Sequence, residues 1–416
     1  MVDAAPFRGL RYEPSLAGEP VTTSAPAYDD IDALTYASHR TASPYTVLEL
    51  LTPPDPAGSY RPAGAALRRW RRTGILVADP TPAFYRYEEH ELRRGQPTVQ
   101  RGVLASVALD TPGPGSAVLT HEAVDATRVA ARRSRLEALR ADLSPVFALT
   151  TGASERLRAL LTRAPVAPPV AALTDAAGVD HRVWAVTDPG EIAALRRALT
   201  DVAVLVADGH HRYAAALQAR TEHPGPAWQR TLMYIVDASA GGPEVLGVHR
   251  LVRGVTAATL RRLRQDLSLE PAPTDPRALQ EQLQGTPGRA FGLLLPPVLA
   301  GVVAAGAAVL RPRDETALTA RLPPDRSAAW GALDTALLDH AVLPVLDAGG
   351  VEYRPALLAA APDVGAGDDA VLFLVRPVDL PTAERFAARG EHLPAKSTFF
   401  RPKPRAGLVL RALDEA

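Results

Sequence analysis

Apolar and polar positions change over in short bursts along this chain, and few segments keep one period for long. Val202, Val204, Leu205 and Val206 form a compact apolar run that predicts a buried strand. Beyond Asp208-Gly209-His210-His211-Arg212, the Ala- and Leu-rich stretch Tyr213 to Ala219 predicts a helix. Phe84 to Glu88 alternates aromatic and polar types, as a strand does. Arg101 to Leu109, Ala117 to Leu119, Val146 to Leu149, Arg230 to Val236, Leu246 to Val252, Ala290 to Leu295, Gly301 to Leu310 and Val371 to Val375 read as further strands. Val170 to Leu173 and Arg182 to Val186 read as a strand pair. Val47 to Leu51 and Gly407 to Leu410 also read as strands. Helices are predicted at Ile31 to His39, Gly64 to Thr73, Val124 to Leu143, 151–163, Ala257 to Leu267, Pro276 to Gln284, Leu333 to Leu346 and Pro381 to Arg389. Another runs to Leu199 from Asp188-Pro189, with Asp188 as N-cap and Pro189 in the first helical position.

Strands and helices interleave without a strict βαβ rhythm, which predicts an α+β fold with mixed sheets rather than a doubly wound one. Neither G-x-G-x-x-G after a strand nor G-x-x-x-x-G-K-[ST] is present. At 416 residues the chain is long for one core. Taking the Pro-rich stretch 165–169 as a linker, three domains are expected: 1–165, 170–310, and 311–416, the last closing the site.

Composition narrows the function. Lys plus Arg and Asp plus Glu are 46 each, so no bulk charge favours nucleic acid or an anionic membrane. The absence of cysteine excludes disulfides, thiolate catalysis and Cys-based metal sites, and fits a cytoplasmic protein. The N-terminus has no apolar stretch after a basic start, so no signal peptide is expected. The apolar run Phe291 to Leu310 is broken by glycines and prolines and reads as strand–turn–strand rather than a membrane span.

The densest chemistry is Asp208 to Arg212. A glycine turn at a helix start exposes backbone N–H donors to an anion. Arg212 can fork onto two phosphate oxygens, and His210 and His211 can donate hydrogen bonds. Asp208 can accept a hydroxyl proton or hold Mg²⁺. Adjacent histidines point in different directions, so one of the two is expected at a given ligand. His121-Glu122 offers a general base beside an imidazole, or simply a helix start where negative charge suits the dipole. Lys396, Ser397, Thr398 and Lys403 form an ammonium and hydroxyl cluster in a loop stiffened by prolines 394, 402 and 404. Tyr28 and Asp29 either face the site or cap a helix, and His249 and Arg250, in a strand, are either ligands or structural. A Ser-His-Asp hydrolase is disfavoured, because no G-x-S-x-G occurs.

PFRGLRY, APAYDDI, SPYTVLEL, FYRYEE, RGVLASVALD, LTHEAV, SPVFAL, ADGHHRYAAAL, VHRLV, ALDTALLDHAVL and LPAKSTFFRPKPRAGLV follow one another in this order. In this the chain resembles the prokaryotic domain-of-unknown-function family 1015 over nearly its whole length. It departs at Ala27, where the family usually has Pro, and at Val124, where it usually has Thr. Segment 202–220 also resembles the glycine–arginine box of the ParB/sulfiredoxin fold, a strand leading through G-x-x-R into a helix. That superfamily includes CTP-binding ParB proteins, ATP-using sulfiredoxin, and kinases of free L-serine with a similar Asp-Gly-His-x-Arg turn.

This second resemblance implies a small-molecule phosphotransferase using ATP or ADP with Mg²⁺ and acting on a hydroxyl amino acid such as free L-serine. Gly209, His211 and Arg212 would cradle phosphates, with Ser397 and Thr398 alongside, while Lys396 and Lys403 would neutralise the transferring group. Asp208, His210 and Glu122 would be catalytic, and Asp208 also the metal ligand. Tyr28, Asp29, His121, His249 and Arg250 would face the substrate. A ParB-like nucleotide switch and a non-catalytic ligand-binding protein of a biosynthetic pathway are the alternatives. Sulfiredoxin chemistry is excluded by the missing cysteine. The expected partner is a small molecule, with neither nucleic acid nor membrane. The oligomeric state stays open, a homodimer being one option.

Overall fold

A computed structural model describes residues 1–27, 31, 33–52, 59–152, 154–239, 241–302, 306–347, 349–355, 357–365 and 369–414. The chain divides into two compact units. The first comprises Met1–Glu244, Glu384–His392 and Pro402–Ala416, and the second Val245–Ala383 and Leu393–Arg401.

The first unit is built on a nine-stranded mixed sheet. Its strands are β1 (Ala4–Ala5), β2 (Phe84–Arg93), β3 (Gln96–Ala108), β4 (Val118–Thr120), β5 (Val146–Thr151), β6 (Ala171–Thr174), β7 (Asp180–Val186), β8 (Ala203–Asp208) and β9 (Arg230–Val236). They run in the order β4-β8-β5-β9-β3-β2-β7-β6, with β1 beside β3. The β4–β8 and β5–β9 pairs are parallel and the others antiparallel. Val204, Leu205 and Val206 of β8 are fully buried. Covered on both faces, an inner strand reads as a continuous apolar run instead of alternating.

The helices of this unit include α1 (Ala126–Leu139), α2 (Glu155–Thr162), α3 (Pro189–Thr200) and α4 (His210–Glu222). Leu157 and Leu161 of α2, Leu195 and Leu199 of α3, and Tyr213 and Ala216 of α4 share one apolar core with Val204, Val206, Ala148 and Ile235 of the sheet. As the sequence predicts, Asp188 caps α3 by accepting from Glu191 N at 2.8 Å. A second sheet, of Leu76–Ala78, Gly9–Tyr12, Leu410–Ala412 and Ala141–Asp142 in that order, packs over its own core of Leu10, Trp70, Leu139 and Leu410. There a Cβ on Gly64 would run into the Ala138 carbonyl, so a glycine lets helix Arg61–Arg72 close on α1.

The second unit holds a six-stranded antiparallel sheet. Its strands are β10 (His249–Arg253), β11 (Leu267–Pro271), β12 (Phe291–Leu294), β13 (Ala307–Pro312), β14 (Gly350–Arg354) and β15 (Val371–Leu374), in the order β11-β13-β12-β15-β10-β14. Apolar cores lie around Phe291, Leu310 and Phe373, and around Leu251, Val309 and Leu372. These side chains alternate along their strands to opposite faces.

The architecture is the expected mixed α/β one, with the strand–GHHR–helix unit at β8–α4. Four strand expectations need correction, the first being Leu246 to Val252, which breaks at Gly247-Val248 into a short strand, Glu244–Leu246, and β10. Val47 to Leu51 is not a strand: Leu48–Leu51 is a helical turn, with Val47, Leu48, Leu50 and Leu51 all buried. A short run apolar at nearly every position carries no period to separate the two conformations. Gly301 to Leu310 shrinks to β13, after a 3₁₀ turn at Pro297–Val302. The closing strand is Leu410–Ala412 rather than 407–410. Tyr28 and Asp29 lie outside the described residues. Among the described residues no helix is long and apolar enough to cross a membrane.

Candidate functional site

Strand β8 shifts register between Val206 and Asp208, a bulge that re-aims the last residue before the turn. Gly209 follows in the left-handed region, φ 96°. A Cβ there would lie 2.9 to 3.1 Å from Arg212 Nε, Nη2 and Cζ. Glycine thus lets the guanidinium fold back over the turn, where Arg212 Nη2 meets Asp208 Oδ2 at 2.6 Å. No side chain caps the start of α4, which leaves the positive end of its dipole open.

The other oxygen of Asp208 meets Lys403 Nζ at 3.0 Å. Burial alone would raise the Asp208 carboxyl. The charges of Lys403 and Arg212 outweigh it and hold the group well below the usual carboxylate range. Arg212 also donates through Nη1 to Ser144 Oγ and the Pro145 carbonyl.

Behind this pair lie two buried imidazoles. The rings of His121 and His210 meet edge to face, 4.7 Å between centroids. Burial pulls both down, His121 to about 4, and neighbouring imidazoles add to the shift, His392 for His121 and His121 for His210. Both are neutral at physiological pH. His210 Nδ1 stands 3.6 Å from Glu122 Oε2, and its Nε2 is buried without a hydrogen-bond partner among the described residues. Glu122 is partly exposed and faces solvent. His211 points elsewhere, as adjacent residues at a helix start must. Its Nε2 accepts from Asp125 N at 3.1 Å, and Asp125 caps α1.

The first unit therefore brings together His121, Glu122, Asp208, Gly209, His210, Arg212 and Lys403, with His211 one step round the helix. Lys396, Ser397, Thr398, His249 and Arg250 belong to the second unit. Ser397 is buried; its hydroxyl donates to the Pro394 carbonyl at 2.7 Å and meets Thr335 Oγ1 at 3.0 Å. Thr398 is also buried. The Lys396 carbonyl accepts from Arg250 Nη1 at 3.4 Å. Arg250, fully buried, grips Asp339 through Nε and Nη2 at 2.8 and 2.6 Å. His249 Nδ1 accepts from Val375 N at 3.3 Å, and burial pulls this imidazole down to about 4. His249, Arg250 and Ser397 are thus engaged by groups of their own unit. Among the described residues no three His, Asp or Glu side chains converge on a metal position, and both Asp208 oxygens are engaged. The arrangement does not fit a resident Mg²⁺.

Two further features are not marked by any local pattern. Lys396 and Lys403 are the only lysines among the chain's 46 Lys and Arg residues, and both fall in one closing motif. A lysine presents a compact ammonium on a flexible stem, unlike the planar guanidinium that arginine offers at the other positions. The second is a buried polar cluster under the sheet. Tyr87 Oη meets His181 Nδ1 at 2.8 Å and lies 3.5 Å from Glu89 Oε1, while Gln100 Nε2 donates to Glu89 Oε2. FYRYEE, read only as a strand, supplies Tyr87 and Glu89.

Burial pushes the Glu89 carboxyl from its ordinary 4.5 up to about 8, against the donation from Gln100. The folded state then holds a proton that the unfolded chain has released. The contribution of Glu89 to stability is therefore fully present below about pH 4.5 and is lost as pH rises to about 8, by on the order of a few kcal/mol. Glu89→Gln should remove that slope. In calorimetric melts its advantage over wild type should widen from about pH 5 to about pH 8.5. Parallel pH profiles would show that Glu89 does not titrate there.

Several solved structures are similar. A mutant of a free serine kinase in complex with AMP is 15% identical over 76% of this chain and 93% of that one, with a TM-score of 0.38. SbnI with C-terminal truncation from Staphylococcus aureus is 13% identical over 73% and 84%, at 0.35. A conserved hypothetical protein from Pyrococcus furiosus is 14% identical over 74% and 93%, at 0.36. Likeness of this degree transfers no activity. No curated protein matches the chain. The model of the family described as "Protein of unknown function (DUF1015)" matches residues 4–333, and the chain belongs to that family.

Proposed function

We propose that the protein is a nucleotide-dependent kinase that transfers a phosphoryl group to a small hydroxyl compound. The observation that carries this reading is the grouping at one uncapped helix start. An ionised carboxylate there holds a lysine and an arginine, beside a solvent-facing carboxylate backed by a neutral imidazole. Phosphoryl transfer asks for little covalent chemistry from the protein; it needs positioned positive charge and a group to accept the hydroxyl proton.

In this mechanism the α4 start, Lys403 and Arg212 receive the polyphosphate, with His211 beside them. Asp208 carries two cations and has little affinity for a proton, so its part is to place charge rather than abstract a proton. Glu122, supported by His210, takes the acceptor's proton. The acceptor oxygen bonds to the terminal phosphorus, and the bond from that phosphorus to the nucleotide oxygen breaks, releasing the shortened nucleotide. Mg²⁺ enters with ATP or ADP as the nucleotide's counter-ion. The likeness of the Asp208–Arg212 turn to that of free-serine kinases makes free L-serine the first acceptor to test.

The test is incubation with ATP or ADP, Mg²⁺ and a panel of hydroxyl amino acids, read by ³¹P NMR and mass spectrometry. A phosphorylated amino acid is expected. Hydrolysis with no acceptor product would favour a nucleotide switch, and no nucleotide binding at all would end the phosphotransferase reading.

A further inference from the structure

We propose that the buried cluster of Tyr87, Glu89, Gln100 and Arg405 is a positioning clamp that sets where the Lys403 ammonium stands. This rests on the kinase reading for its catalytic consequence, but not for its geometry.

The segment Pro402-Lys403-Pro404-Arg405 cannot hold itself in place. Two of its four residues are prolines without an N–H, so no regular ladder of backbone bonds can run through it. Side chains take over on both sides of Lys403. Before it, the Pro402 carbonyl accepts from Gln100 Nε2 at 3.3 Å. After it, Arg405 N donates to Tyr87 Oη at 3.3 Å. Both gripping groups are fixed in turn. Gln100 Nε2 is shared with Glu89 Oε2, and Tyr87 Oη is tied to His181 Nδ1, whose Nε2 meets Asp175 Oδ2 at 3.2 Å. The Arg405 guanidinium, buried, donates to Ser24 Oγ at 3.0 Å and the Ser24 carbonyl at 3.2 Å, with Asp175 at 3.7 Å.

Tyr87 and Glu89 stand on β2 and Gln100 on β3, with Gln100 opposite Glu89 in the strand register. Two rigid strands therefore grip the carbonyl just before Lys403 and the N–H two residues after it. The lysine side chain leaves the clamp to meet Asp208 Oδ1. A second-strand scaffold of this kind holds a reacting charge more tightly than a loop can.

The rarity of lysine makes the test direct, since Lys396 is exposed and serves as an internal reference for Lys403. Full-length wild type, Gln100→Leu, Lys403→Ala and the double variant are acylated with an N-hydroxysuccinimide acetate, and the lysines are followed by mass spectrometry. In Gln100→Leu, Lys403 should label at least about fivefold faster relative to Lys396. Turnover should fall at least about tenfold in that variant, yet change less than about twofold when Gln100→Leu is added to Lys403→Ala. Unchanged Lys403 labelling, or losses that add in full, would overturn the clamp. Should Gln100→Leu not fold, Tyr87→Phe removes only the hydroxyl that receives Arg405 N, and the same readings apply. If wild type transfers no phosphate, the kinase reading fails while the labelling still decides the clamp.

Discussion

Asp208→Asn is expected to lower turnover by roughly 10²–10³-fold, the loss typical when one preorganised electrostatic element is removed. Nucleotide affinity should hold or rise. Asp208 spends its two oxygens on Lys403 at 3.0 Å and Arg212 at 2.6 Å. An amide keeps the shape but not the charge. It releases both cations toward the phosphates while loosening the positions they must hold during transfer. Single-turnover kinetics with nucleotide titration would separate the two effects. Turnover within about threefold of wild type, with affinity lost instead, would move Asp208 from charge placement to nucleotide binding.

The largest effect on stability is expected in the second unit, from Arg250→Ala. The guanidinium is fully buried and makes two bonds to Asp339, with further contacts to the Val248 and Lys396 carbonyls. It also lies over the Tyr353 ring, 5.1 Å from its centroid. Truncation strands the Asp339 carboxylate, whose side chain is only 13% exposed. Breaking one partner of such a pair costs roughly 3–5 kcal/mol. Replacing both members with apolar residues, Arg250→Met with Asp339→Leu, should recover most of that loss. Denaturant melts of the three variants would check this. A stable Arg250→Ala variant with weakened substrate binding would restore the ligand role that the sequence suggests for Arg250.

Much of the candidate site was legible because it is local. A five-residue run of one acid, a glycine, two imidazoles and a guanidinium, between an apolar run and an Ala-rich stretch, can be read without knowing what lies across the sheet. The divergence of His210 and His211 follows from helix geometry alone. Local pattern does not rank roles. His249 and Arg250 look as reactive in one dimension as His210 and Arg212, yet they are engaged by Val375 and Asp339.

The β8–Gly209–α4 unit, the Asp188 cap, most strands of the nine- and six-stranded sheets and the family motifs follow from the amino-acid order, because each is a short-range pattern of period, turn chemistry or order. The pairing of Asp208 with Lys403, the contact of Tyr87 with the closing segment and the helical turn at Leu48–Leu51 come from packing. Pairings between residues far apart in the chain leave no local period to read. Burial, which sets whether a carboxyl or imidazole is charged, belongs to the packed whole rather than to any stretch of it.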